Sequence, residues 1–424
     1  MIRKWNFRAV GRRSAAALFA AVIGLGLWTA PSARAAEPIK IGFSMSLTGG
    51  LASNGKSALL AMKIWEQDQN AKGGLLGRPV KLVYYDDQSN PANVPGIFTK
   101  LLNIDKIDLV AGPYASPLIA PAMPIVMQHN MVIIGLYGLA VNSEFHYSKY
   151  FGMIPCGPEP KRSFTKGFFD LAMGLNPKPK TLAIASADIE FAKHAADGVI
   201  ENAKADGLKI VYNRSYPPST TDFSPIVRAI QATHADLVVI ASFPPDSVGI
   251  IHAAHEIGLK AQMFGGAMVG PQSSSIKEQL GPLLNGVTNF DFWVPAPKLM
   301  TPEAAAFLKK YQDKAVSEGV DPLGYYMAPA AYAYLQIMAD AVEATKSLNQ
   351  DKIADYIRKT TFKTVYGDIK FGKDGEWNQP RVFMAQFQGI KGNGIDQFKN
   401  PATEVILDPP DYRSGKLITP YNAK

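Results

Sequence analysis

Apolar runs of strand length recur along this chain, each followed by a small-residue turn and then by a segment with helical spacing. The first is Ile39-Lys40-Ile41-Gly42-Phe43-Ser44-Met45. The next fall at 80–85, 108–112 and 131–134. Between them, helical spacing covers 57–70, 95–103 and 119–128. In the first of these Leu59, Leu60, Met62, Ile64 and Trp65 share the side to be buried. The strand runs are read as continuous apolar runs despite Lys40, Lys81 and Asp108, which predicts a parallel sheet covered by helices on both faces. The pattern restarts after Pro155, with strands at 181–185, 210–212 and 237–240 and helices at 192–205, 223–233 and 247–257. The expected fold is α/β, with two doubly wound parallel-sheet lobes. Further helical segments at 302–317, 327–345 and 353–360 predict three crossings between lobes, near Pro155, at 286–292 and at 366–372. One lobe then takes 37–155 and 290–365, and the other 156–289 and 366–424.

Residues 1–36 stand apart from that pattern. Arg3, Lys4, Arg8, Arg12 and Arg13 precede an uncharged stretch, Ala15 to Ala30, and then Pro31-Ser32-Ala33-Arg34-Ala35-Ala36. This is the layout of a cleaved export signal, with cleavage expected after Ala35 or Ala36. Arg12-Arg13 resembles a twin-arginine signal, but Ser14, Ala15 and Ala16 follow in place of bulky apolar residues, which favours the general secretory route. The segment holds six of the 44 basic residues and none of the 36 acidic ones, so 38 basic residues face 36 acidic in the remainder. The net charge of +8 is mostly the signal's. No concentrated Lys/Arg face remains, which argues against nucleic acid as a partner. No second stretch approaches the apolar length of a membrane span. Cys156 is the single cysteine, so no internal disulfide is available. It is absent from the cleavage site, so no lipid anchor is expected there. A soluble protein released into the periplasm follows.

Ligands of open parallel sheets bind beyond the carboxyl ends of the strands. The loops concerned are 46–55, 112–117, 135–140, 186–191, 242–246 and 265–270. The sharpest local signal is Gly112-Pro113-Tyr114-Ala115-Ser116-Pro117. Ser116 fits a helix N-cap and Pro117 the first helical position. Free amides, helix dipole and hydroxyl together favour a carboxylate guest. Tyr114, Tyr137, Phe191, Phe243 and Met268 add apolar and aromatic surface in the same loops. Asp86-Asp87 reads as turn and cap carboxylates, since adjacent residues at a strand end point apart. His252 and His255 lack the spacing and the intervening Glu of a zinc-protease helix. Cys156 reads as core packing. Neither a G-x-S-x-G elbow nor a nucleotide-binding glycine loop occurs beyond residue 36. No metal and no cofactor is expected, and the chain is not expected to be an enzyme.

In order along the chain, Ile39-Lys40-Ile41-Gly42 with Leu47-Thr48-Gly49, Gly73-Gly74-Leu75-Leu76-Gly77-Arg78, Tyr85-Asp86-Asp87-Gln88-Ser89-Asn90-Pro91, Thr220-Thr221-Asp222-Phe223-Ser224 and Ser242-Phe243-Pro244-Pro245-Asp246 form a set. That set resembles the periplasmic leucine/isoleucine/valine-binding proteins, the type I solute-binding family of ABC importers. The resemblance implies two lobes, joined by three crossover segments, that close on a ligand. It implies an inner-membrane permease and ATPase subunits as partners, and a monomeric binder. The family's carboxylate-binding Ser falls on Ser116, and its first cleft aromatic on Asn54. One cleft Tyr falls on Phe191 and another near Phe243. The acidic residue that takes the ligand ammonium falls near Ala267 or Met268, and the disulfide positions fall near Ser89 and Ala115. Carboxylate capture is thus retained while the ammonium partner is replaced by apolar groups. Asp246 is a candidate acidic substitute for it.

The expected ligand is a small carboxylate with an apolar body, aromatic or aliphatic. A hydrophobic or branched-chain amino acid is the alternative. A ligand-sensing domain and an exported hydrolase are the remaining readings. The site residues expected from loops and resemblance together are Asn54, Tyr114, Ala115, Ser116, Tyr137, Gly138, Phe191, Phe243, Asp246 and Met268.

Overall fold

A computed structural model describes residues 37–423. The export signal read at 1–36 lies outside the described residues. The first sheet is built from β1 (Ile39–Met45), β2 (Val80–Asp86), β3 (Leu109–Tyr114), β4 (Ile133–Leu136) and β5 (Tyr150–Gly152). Its order is β2-β1-β3-β4-β5, and every pairing is parallel. The connecting helices are α1 (Ala52–Ala71), α2 (Val94–Asn103), α3 (Ser116–Gln128) and the single turn α4 (Asn142–Phe145).

The second sheet follows α5 (Pro160–Met173). It takes β6 (Thr181–Ala187), α6 (Glu190–Ala205), β7 (Lys209–Tyr216), α7 (Ser224–Ala232), β8 (Leu237–Ser242) and α8 (Pro244–Ile257) in turn. The short β9 (Lys260–Ala261) precedes β10 (Met263–Met268), α9 (Ser274–Leu280) and β11 (Thr288–Asp291). The chain then returns to the first sheet through α10 (Pro302–Ala315), α11 (Ala328–Thr345) and α12 (Gln350–Lys359). There α11 packs on α1 and β4. Strands β12 (Thr361–Thr364) and β13 (Gly367–Lys370) pair only with each other. The end of the chain gives β14 (Phe383–Phe387), β15 (Glu404–Asp408) and β16 (Tyr421–Asn422), the last paired with β9. The second sheet runs β15-β14-β11-β10-β8-β6-β7.

The α/β architecture with two parallel-sheet lobes is as expected, with three differences. The second sheet is parallel from β7 to β11, but β14 and β15 are antiparallel additions at its edge. Three helices and the β12–β13 ribbon separate β14 from β11, so no single helical crossover dictates its direction. Second, Gly367–Lys370, inside the segment expected as a crossing, is a strand of that ribbon, and the chain re-enters the second sheet only at Phe383. Third, the helices begin earlier than their apolar spacing indicates. α1 starts at Ala52, α3 at Ser116 and α8 at Pro244, inside segments read as loops. Proline in the first turn of α3 and α8 accounts for two of these, because it needs no amide partner there. First turns of helices therefore stand at the carboxyl ends of the strands.

One charged group sits deep in the second lobe. Lys277 Nζ contacts Glu404 Oε2 at 2.6 Å with both side chains buried, and the ammonium lies 5.5 Å from the Phe387 ring centroid. Asp291 accepts from the amides of Phe292 (2.6 Å) and Trp293 (3.0 Å) beside this pair. Burial, then Glu404, push the Asp291 carboxyl well above the usual range. Lys277→Met leaves that acidic pair uncompensated. It is expected to lower stability by about 3–5 kcal/mol in urea unfolding, while Lys277→Met with Glu404→Leu recovers most of the loss.

Candidate functional site

The carboxyl ends of β1, β2 and β3 face those of β6, β7 and β8. A cavity of about 250 Å³ lies between them. Leu51, Pro91 and Leu118 line it from the first lobe, and Ile189, Pro218, Phe243 and Asp246 from the second. The lobes also touch directly. Ser53 Oγ is 3.0 Å from Ser273 Oγ, and His194 Nδ1 is 2.8 Å from the Leu139 carbonyl oxygen.

Asp86 and Asp87 shape the mouth of this cleft and do not point into it together. Asp86 accepts from the Leu47 amide (2.9 Å) and the Thr48 hydroxyl (2.7 Å). Asp87 accepts from the hydroxyls of Ser44 (3.0 Å) and Ser46 (2.7 Å). Each carboxylate therefore ties the loop after β1 to the loop after β2, as turn carboxylates would.

Of the residues singled out from the sequence, Phe243 and Asp246 line the cavity. Ser116 is buried immediately behind Pro117 and Leu118, which do line it. Its expected role as N-cap is corrected: Ser116 is the first helical residue, and the cap position is Ala115, which makes no side-chain cap bond. The reason is backbone strain. Ala115 sits at φ 73°, ψ 148°, beside the region that glycine dominates, and this turns Ser116 inward. There the Ser116 hydroxyl oxygen accepts the Leu139 amide at 2.9 Å, so its own proton remains to be donated. Tyr137 and Ala140, at φ 60° and 56°, bend the facing loop in the same left-handed sense.

The remaining expected residues lie deeper. Asn54 Nδ2 donates to the Tyr114 hydroxyl at 2.8 Å, and Tyr326 bonds the same oxygen. Burial pushes the Tyr114 phenol up to about 12, so it stays a neutral hydroxyl. Tyr137 donates to the Tyr326 carbonyl oxygen at 2.8 Å and lies 3.1 Å from the Tyr366 hydroxyl. A path of ring contacts then crosses the lobes, from Tyr137 to Phe292 (4.8 Å), Phe292 to Phe164 (6.0 Å), Phe164 to Phe191 (5.5 Å) and Phe191 to Phe243 (5.4 Å). Gly138 lets the Tyr150 hydroxyl approach, since a Cβ there would stand 2.9 Å from it. Met268 ends β10 with its amide on Asn289 Oδ1 at 2.9 Å, and its side chain is fully buried away from the cavity. The loop expected at 265–270 is strand as far as Met268.

Asp246 is the charged group on the cavity wall. Its Oδ2 accepts the Tyr216 hydroxyl at 2.6 Å. Burial pushes its carboxyl up to about 6, against that bond and backbone bonds at Asp246 itself and Phe243. His255 Nε2 is 2.9 Å from the Leu283 carbonyl oxygen, a packing role. Among the described residues no group of three metal-ligating side chains occurs.

Sequence reasoning missed Tyr326, Tyr366, Phe164 and Phe292, which come from helices and crossing segments far from the six loops. It also missed Tyr150, Glu190 and Glu376. Of these only Glu190 had a signal, its place in the loop after β6.

The family model for periplasmic binding proteins matches residues 38–393. A Leu/Ile/Val-binding protein homolog from Brucella abortus is 26% identical over 340 residues, 80% of this chain and 87% of that protein. A branched-chain amino acid transporter substrate-binding protein, LivJ, from Streptococcus pneumoniae in complex with isoleucine superposes with a TM-score of 0.71 at 20% identity. It covers 88% of this chain and all of that one. A solute-binding protein of an ABC transporter from Rhodopseudomonas palustris in complex with 3,4-dihydroxybenzoic acid superposes with a TM-score of 0.70 at 18% identity, over 84% and 94% of the two chains. With its parallel sheets facing one cleft and the family model matched over nearly all of residues 37–423, this chain belongs to the periplasmic binding protein family.

Proposed function

We propose that this chain is the substrate-binding protein of an ABC importer, exported to the periplasm, and that it captures a small carboxylate with an apolar body between its lobes. The observation that carries this reading is the 250 Å³ cavity walled by strand-end loops of both sheets. A ligand held there touches both lobes at once, so it favours their closed arrangement over an open one. Three chain passages form the hinge: near Pro155, between β11 and α10, and between β13 and β14. The closed face is what a membrane permease and its ATPase recognise. Relatives named for leucine, isoleucine and valine, and a structural neighbour holding a dihydroxybenzoate, support a carboxylate as the common element. Binding and release are the activity, and no bond is made or broken.

Ser116 and the first turn of α3 receive the carboxylate. The hydroxyl donates its remaining proton, and the positive end of the helix dipole adds to the attraction. Leu118, Ile189 and Phe243 cover the apolar body. Titration calorimetry with benzoate-like acids and hydrophobic amino acids tests the reading. Ser116→Ala is expected to weaken the tightest-binding carboxylate by about 1–3 kcal/mol, the value of a hydrogen bond to a charged group, while the protein stays folded. Unchanged affinity would remove Ser116 from the site.

Asp246 adds a pH dependence. Its carboxyl, pushed up to about 6, is ionised above that pH and repels a ligand carboxylate across the cavity. Below pH 6 it is neutral, while a ligand acid of ordinary pKa stays ionised to about pH 4. Affinity for benzoate is therefore expected to rise several-fold from pH 7 to pH 5. Asp246→Asn should flatten the profile at its low-pH level, measured by the same calorimetry.

A further inference from the structure

One buried histidine joins the two lobes through both of its ring nitrogens. His194 lies on α6 of the second lobe and is 5% exposed. Its Nδ1 is 2.8 Å from the Leu139 carbonyl oxygen, and its Nε2 is 3.3 Å from Glu144 Oε1. Both partners belong to the first lobe, since Leu139 follows β4 and Glu144 lies on α4. A carbonyl oxygen only accepts, so Nδ1 carries a proton in this arrangement. A neutral ring then has no proton for Nε2, whose lone pair faces a carboxylate oxygen. A second proton, held between Nε2 and Glu144, turns that opposition into a charge-assisted hydrogen bond.

We propose that His194 is a positioning residue that holds the lobes closed, and that closing takes up a proton at the His194–Glu144 pair. This rests on the two-lobed capture read above and makes it pH-dependent: the closed arrangement gains as pH falls. The path to the ligand is short. Leu139 meets His194 through its carbonyl oxygen and gives its amide to the Ser116 hydroxyl. His194 thereby seats the second lobe on the residue that orients Ser116.

The surroundings favour the extra proton. Glu190, in the first turn of α6, has its Oε1 buried without a partner. Burial, then Glu144, push its carboxyl up to about 7, so at pH 8 it is ionised and adds negative charge near Glu144. Tyr150, on β5, is kept a neutral phenol by burial and by Glu376 and Glu190. The cations of α5 and α6 are engaged elsewhere. Lys193 pairs with Asp188 at 2.8 Å, Lys161 with Asp197 at 2.9 Å and Lys166 with Asp170 at 2.6 Å. Arg162 is 3.9 Å from Glu159. Glu201 and Lys204 on α6, Lys209 and Arg214 on β7, and His146 after α4 are all exposed. Helix α3 and strands β6 and β8, which also pack on α6, carry no ionisable side chain. Among the described residues, Glu144 has no ion-pair partner besides His194.

An imidazole in water takes its proton at about pH 6.5. Below that pH both arrangements hold it, and further acid adds nothing to closure. Above it the closed arrangement keeps a proton that the open one releases. The closed-to-open ratio therefore falls as pH rises from about 6.5, by up to about tenfold per unit. This range lies above that of Asp246, whose carboxyl titrates at about 6.

The test uses the exported protein with benzoate and with L-leucine as probes. Calorimetry at pH 7.5, in buffers of unlike ionisation heat, counts protons, and affinities are compared at pH 6.5 and 8.5. Small-angle X-ray scattering of the ligand-free protein follows its compaction over the same range. Binding is expected to take up about half a proton and to weaken about fivefold from pH 6.5 to pH 8.5. His194→Asn keeps a donor for Leu139 and removes Nε2, so it should bind at pH 6.5 as weakly as the wild type does at pH 8.5. Glu144→Gln replaces an exposed side chain, and its amide can donate to the neutral ring. It should bind equally at both pH values, with no proton taken up. Compaction of the ligand-free protein on acidification, lost in both variants, supports the same conclusion where neither probe binds. The latch is overturned if a probe binds without proton uptake, if both variants keep the wild-type slope, or if Asp246→Asn is what abolishes it. Binding without proton uptake leaves carboxylate capture standing. Neither binding nor pH-dependent compaction overturns both.

Discussion

The cleft depends on one phenol. Tyr137 leaves β4 in a left-handed turn, and its hydroxyl joins the Tyr326 carbonyl just before α11 and the Tyr366 hydroxyl between β12 and β13. Its ring packs on Phe292, immediately after β11. A single side chain thus gathers a strand-end loop of the first sheet and the segments through which the chain passes between lobes. Such a buried, mutually satisfied set holds its members in one arrangement, because each lost bond would strand another polar group away from water. The aromatic path from Phe292 through Phe164 and Phe191 to Phe243 carries that order to the cavity wall.

The fold could be read from the sequence because its strands are buried on both faces, and continuous apolar runs have few other uses. Leu237–Ser242 is such a run, Ile39–Met45 is one apart from Lys40 and Ser44, and both are parallel strands. The edge strands β14 and β15 escaped because no helical crossover precedes them. Phe243 and Asp246 could be placed in the cleft because strand-end position is a local property. Tyr326, Tyr366 and Glu376 could not. Each reaches the site through a long-range contact that neither spacing nor loop position encodes. The N-cap reading of Ser116 failed for a local reason: its inward turn follows from the φ of Ala115, and alanine gives no sign that it will adopt a positive φ.

Charge is where the sequence and the structure diverge most. The family resemblance places apolar residues, Ala267 and Met268, where an ammonium partner belongs, and both are indeed fully buried in β10. From sequence alone an ammonium group would therefore have no counterpart there. Folding leaves Glu190 Oε1 and both Glu376 carboxylate oxygens buried without hydrogen-bond partners, and both residues act on Tyr150. An unpaired carboxylate in such a space is stable only when neutral or opposite a cation. Asp246, by contrast, already accepts the Tyr216 hydroxyl.

Strain and burial together account for why these groups face a cleft at all. Ala115, Tyr137 and Ala140 each hold a backbone conformation that costs about 1–3 kcal/mol. All three lie at the carboxyl ends of β3 and β4, between strands that are buried on both faces. Relaxing any one of them would rotate a neighbouring amide or hydroxyl away from the cleft. Ser116 would lose its bond to Leu139, and Tyr137 its bond to Tyr326. The rigid sheet offsets the strain, and the strained loops are thereby set before a ligand arrives. Donors that are preset in this way cost a ligand less affinity than donors it must order on arrival.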